Sequence, residues 1–296
     1  MTARPSTRAR ALALISRIRG TLVAIAILLI AGAATGALWH PLVRNPLWQW
    51  VAYGLPAFEA GKWWTPITGT LVVARPALYM VTILSFAGMA YLEYRRGWRV
   101  ALLYFGMGQL FAVLGSALVL WLLALTPSTW AATVAVELGA GPSGGTVACI
   151  AAAAGLLAAP WRVRAWLVLL ALIFVALLFW GKLDDVEHAL AVLLVLFADR
   201  TLRIQHTTVR EQRLIAFLAV VMLGVVELIA LLVPTHGPFG STEPADGSLL
   251  DIATDIVLIV FVANGLRRGR RWAWIGAFAL AVFNVVTGIL LLLLVL

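Results

Sequence analysis

Cysteine is nearly missing from this chain. Cys149 stands alone, which excludes an intrachain disulfide and any cysteine-based metal site. Lying inside an apolar run, it reads as a small buried core residue. Charge is scarce as well. Only 12% of residues are Asp, Glu, Lys or Arg, against 63% hydrophobic residues and a mean hydropathy of +1.00, values that exclude an ordinary soluble domain. There are four histidines, and three of them, His40, His206 and His236, lie in or beside loops without metal-ligand spacing. The chain carries no nucleotide-binding loop, metal cluster or redox motif, so no cofactor and no metal is expected. In a soluble protein the net charge of +9 would point to nucleic acid. Here its distribution excludes nucleic acid as a partner.

What is present is apolar length. Runs of about 18 or more apolar residues read as membrane spans. Such windows fall near 21–38, 77–92, 100–125, 143–159, 165–180, 186–199, 214–233, 249–266 and 272–294. The first follows a basic start (Arg4, Arg8, Arg10, Arg17 and Arg19) and exceeds the length of a signal-peptide core, so it is read as a retained span. With the N-terminus inside, 18 of the 22 basic residues fall in the N-terminal tail and the inner loops, as the positive-inside rule requires. The outer loops keep only Arg44, Lys62, Arg75 and Lys182. The long loop from Trp39 to Arg75 is rich in tryptophan and reads as an outer segment lying at headgroup level. An all-α polytopic membrane protein follows, with membrane lipids as partners.

Two placements carry chemistry. Gly141-Pro142-Ser143-Gly144-Gly145 heads the fourth run and His188 opens the sixth, both from the outer face in this topology. A serine hydroxyl among glycines, with a histidine at similar depth to take its proton, is a minimum kit for nucleophilic catalysis in a membrane. The alternative for Ser143 is helix capping and close packing, and for His188 a satisfied interfacial side chain. Asp184, three residues before Glu187, reads as a capping box. In another reading, Asp184 or Asp185 orients the His188 ring.

On these residues the chain resembles the rhomboid family of intramembrane serine proteases over roughly 21–200. Trp63-Trp64-Thr65-Pro66 resembles the approach to the family's second span. Gly88, Glu93 and Gly97 resemble the Gly…Glu…Gly pattern that closes that span, and Gly141-Pro142-Ser143-Gly144 matches the Gly-x-Ser-Gly motif. His188 falls where the sixth-span base belongs. The resemblance implies a six-span core cleaving transmembrane protein substrates, with Ser143 as nucleophile, His188 as general base, and backbone around Gly141 and Gly144 at the oxyanion. The chain also departs from the pattern. It has no histidine between His40 and His188 and no asparagine between Asn45 and Asn264, so the family's second-span oxyanion residues are missing, with Pro76 and Met80 in their place. Losing one such donor costs about 10²–10³ in rate. Val147, Ala191 and Val195 stand where the family has tyrosine, glycine and glycine.

The last third resembles the final membrane helices of actinobacterial aminoacyl-phosphatidylglycerol synthases such as the lysyl-phosphatidylglycerol enzymes. Arg267-Arg268-Gly269-Arg270-Arg271 followed by Trp272 and Trp274 carries that likeness. It implies a lipid-translocating membrane part whose transferase domain would follow Leu296. Glu227, Asp251 and Asp255 are the candidate acids for a cationic lipid headgroup, since intramembrane carboxylates face an interior or a water-filled path. The expected division is a basic cytoplasmic tail (1–20), a rhomboid-like six-span domain (21–200) and a three-span segment (201–296). The expected location is a bacterial plasma membrane with the N-terminus cytoplasmic.

Overall fold

The computed structural model describes residues 15–198, 209–232, 235–238, 240–242, 249–279, 281–282 and 286. They are almost entirely helical. In chain order the helices are α1 (Arg19–Ala34), α2 (Trp48–Val51), α3 (Leu55–Glu59), α4 (Thr65–Thr70), α5 (Leu78–Arg96), α6 (Trp98–Ala124), α7 (Thr129–Ala135), α8 (Ser143–Gly155), α9 (Ala159–Phe179), α10 (Leu183–Ala198), α11 (Val209–Leu232) and α12 (Leu249–Arg267). A hairpin of two short antiparallel strands, β1 (Thr235–Gly237) and β2 (Gly240–Thr242), occupies part of the connector between α11 and α12. This small hairpin, at a Gly- and Pro-rich stretch where turn residues favour one, leaves the fold class all-α.

Among the described residues two helices are long and apolar enough to cross a membrane, Trp98–Ala124 and Trp161–Phe179. Others are shorter than the apolar runs from which they arise. The run 143–159 yields only α8, 13 residues ending at Gly155. At 1.5 Å per residue this is about 20 Å, well short of the roughly 30 Å of a hydrocarbon core. Pro160, in the first turn of α9, belongs to the next helix, because proline fits a helix start and breaks a helix interior.

The chain forms two compact units, Met1–Leu157 with Gly181–Leu202, and Ala158–Trp180 with Arg203–Leu296. The division thus differs from a single break after residue 200: α9 belongs to the second unit, where it packs on α11 and β1. In that unit α11 also packs on α12, around Val262, Leu266 and Ala273.

In the first unit α8 is the central element. It packs on α5, α6 and α10, and its alanines from Ala151 to Ala154, with Cys149, are buried. Small residues set this closeness. A Cβ on Gly145 would lie 2.6 Å from the Phe105 carbonyl oxygen, and one on Gly88 would lie 2.8 Å from the Ile150 backbone. Such contacts require glycine, as in the small-residue packing of apolar helices. Helix α1 packs on α5 and α6. Its N-terminus is closed by Glu93, which accepts from the Gly20 and Thr21 amides and the Thr21 hydroxyl, each at 2.8 Å. A buried carboxylate on the amides of a helix start satisfies groups that the helix leaves unpaired.

The 39–75 loop is structured by a 3₁₀ turn, Leu42–Arg44, and by α2–α4. Trp50 stacks on Trp64 and Phe58 on Trp63.

Candidate functional site at the serine turn

The turn that precedes α8 is pinned on three sides. Tyr53 and Gly139 exchange backbone hydrogen bonds of 2.9 and 2.8 Å, and the Gly141 amide donates to Gly69 O at 3.0 Å. Gly141 has φ 147°, a conformation that glycine adopts without strain. Gln109, from the middle of α6, donates through Nε2 to Gly141 O at 2.9 Å and accepts from the Gly145 amide through Oε1 at 2.8 Å. The Tyr53 hydroxyl donates to the same Gly141 carbonyl at 2.9 Å and approaches Glu187 Oε2 at 3.4 Å. Tyr53, Gln109 and Glu187 are all buried. Burial, together with the neighbouring Glu187 and Asp184 carboxylates, holds the Tyr53 phenol well above its ordinary range, so it remains a donor.

Because Tyr53 touches both Gly141 and Glu187, the N-terminal ends of α8 and α10 lie together. The structure therefore brings the serine turn and the start of the histidine helix to one place. From α10, Glu187 reaches the Tyr53 hydroxyl that holds Gly141, and Leu183 and Asp184 lie beside Gly139. No hydrogen bond joins Ser143 to His188. The Ser143 hydroxyl makes none among the described residues, and His188 Nε2 is buried without a partner.

The backbone donors divide unevenly. The Gly141 amide, an expected oxyanion contributor, is committed to Gly69 O. The Gly145 amide is committed to Gln109, and Pro142 has no N–H. The Gly144 amide, the other expected contributor, makes no hydrogen bond among the described residues. The glycines beside Ser143 also have a packing role. A Cβ on Gly144 would lie 2.7 Å from Ala112 Cβ.

Capping differs from expectation at both helix starts. Ser143 does not cap α8: the N-cap is Pro142, with no side-chain hydrogen bond. The Asp184–Glu187 box does not form at α10, because the helix begins at Leu183, two residues earlier than that box requires. Asp185 Oδ2 accepts from the Lys182 amide at 3.0 Å, and Glu137 Oε2 accepts from the Leu183 amide at 3.0 Å. Neither Asp184 nor Asp185 hydrogen-bonds the His188 ring. Ala191 and Val195 are buried on α10, so the bundle accommodates both in place of glycine.

Glu227 lies on α11 and Asp251 and Asp255 on α12, but their side chains lie outside the described residues. Among the described residues no group of three or more His, Cys, Asp or Glu side chains is placed to hold a metal ion. Tyr53 lies in the 39–75 loop, which the sequence marks only as a headgroup-level segment, and nothing in the sequence pattern assigned a role to Gln109. The available signal was the isolated Gln109 in an apolar 27-residue helix, since a lone polar residue there needs a partner.

No family model matches the chain, and comparison with curated proteins and with solved structures returns no match.

Proposed function

We propose that this chain is a multi-pass membrane protein of rhomboid-like architecture whose serine turn is a structural joint, so that it binds membrane partners without cleaving them. The observation that carries this is the Gln109 bridge. One side chain occupies both the Gly141 carbonyl and the Gly145 amide, while the Ser143 hydroxyl makes no hydrogen bond to His188, whose Nε2 has no partner. A nucleophilic serine needs a hydrogen-bonded base, at about 2.6–3.2 Å, and two of the three amides that could stabilise an oxyanion beside it, Gly141 and Gly145, are committed elsewhere, leaving Gly144. The missing second-span histidine and asparagine agree with this.

Membrane insertion is supported by the outward surface. Met80, Leu84, Leu118 and Phe197 are 56–85% exposed, and an apolar surface on this scale is stable in lipid and unstable in water. The positive-inside distribution supports a cytoplasmic N-terminus. A peptidase reading is favoured by one observation, the unpaired His188 Nε2. Incubating the purified chain in liposomes with single-span model substrates separates the two. No cleavage above the Ser143→Ala background is expected. Cleavage that depends on both Ser143 and His188 would establish the peptidase.

A further inference from the structure

A cavity of about 570 Å³ runs along α1, α5 and α6 in the first unit. One end is lined by Arg19 and Trp98, the wall by Ile27, Leu102 and Phe105, and the far end by Pro142, directly before Ser143. From Arg19 to Leu28, both lining residues, α1 rises roughly 14 Å. The groove opens sideways. Ile27 is 45% and Leu102 is 40% exposed, so its apolar wall faces the surroundings.

The Arg19 end is basic. Arg17 lies over the Tyr94 ring and Arg95 over Tyr91, while Arg99 lies over Trp98. Among the described residues the carboxylate at this end is Glu93, held by the amides of Gly20 and Thr21 and by the Thr21 hydroxyl. Among the described residues, none of its hydrogen bonds goes to Arg19. A long apolar slot with a guanidinium and an indole at its mouth matches an acyl chain joined to an anionic headgroup. Arginine binds phosphate oxygens in a fork, and tryptophan settles at the headgroup level.

We infer that this groove holds an anionic phospholipid, with one acyl chain along α1 and α6 and the phosphate on Arg19. The inference rests on the membrane reading above and is independent of the chemistry of Ser143. The lipid tail would end against Pro142, so an occupied groove would brace the serine turn from behind.

The test uses the full chain in liposomes of phosphatidylcholine with a minor fraction of phosphatidylglycerol, followed by extraction and native mass spectrometry of retained lipid. Flotation with the liposomes is scored first. A chain that does not float overturns the membrane reading and this inference with it. For a chain that floats, retained lipid enriched at least tenfold in phosphatidylglycerol is expected. Arg19→Gln should abolish that enrichment, while Arg96→Gln, which removes a charge from the same basic end, should leave it. Val23→Trp, a change at an exposed lining position, should expel the lipid whatever its headgroup, and Leu102→Trp provides a second filling variant should the first fail to fold. Equal retention of both lipids would overturn the inference while leaving the membrane reading intact. So would equal losses in Arg19→Gln and Arg96→Gln, which signify a diffuse basic surface, or undiminished binding in a folded, groove-filled variant.

Discussion

Glu93 and Glu187 are both buried, 2% and 0% exposed, yet the first unit treats them differently. Glu93 receives three donors at 2.8 Å, all from the start of α1. Glu187 has a single long contact with Tyr53, and its Oε1 has no partner. A carboxyl group matched to a helix start stabilises the fold. One with an unpaired oxygen in the interior costs about 1–3 kcal/mol. The contrast separates the end of the bundle that holds α1 in place from the end that holds the serine turn, where stability rests on Gln109 and Tyr53 and the acid is tolerated.

Isosteric amides should expose that difference. Glu93→Gln, which presents donors to donors, is expected to destabilise by about 2–4 kcal/mol, read as the unfolding midpoint of the purified chain in detergent. Gln109→Leu should cost about 1–3 kcal/mol, because it orphans the buried Gly145 amide and leaves the Gly141 carbonyl to Tyr53 alone. The smallest effect is expected for Glu187→Gln, within about 1 kcal/mol of wild type and of either sign. If Glu187→Gln proved as damaging as Glu93→Gln, Glu187 would have partners beyond Tyr53 and the contrast would fail.

The helices at 78–96, 98–124, 183–198 and 249–267 were legible because apolar length and flanking arginines mark them directly. The depth of α8 was not. Hydropathy sees 143–159 as one run and cannot tell a shortened helix enclosed by three others from a full span. The capping of α10 shows how fine the margin is. Asp184 with Glu187 and Lys182 with Asp185 have the same spacing, and a helix start two residues earlier transfers the contact to Asp185, while Glu187 is buried. At the serine turn the sequence revealed the right elements, Gly141 to Gly145 and the start of α10. The contact itself depends on which helix faces meet. That is why Tyr53 and Gln109, distant in sequence and unlike any catalytic pattern, hydrogen-bond the turn while His188 does not.

The central claim, that Ser143 belongs to a joint and not to a nucleophile, is tested most directly by covalent labelling with a fluorophosphonate in membranes, located by peptide mass spectrometry. The folded wild-type chain should show no modification at Ser143 beyond that of the His188→Ala variant, because a serine without a base is a weak nucleophile. Modification at Ser143 that falls sharply in His188→Ala would contradict the account and make the pair a working dyad.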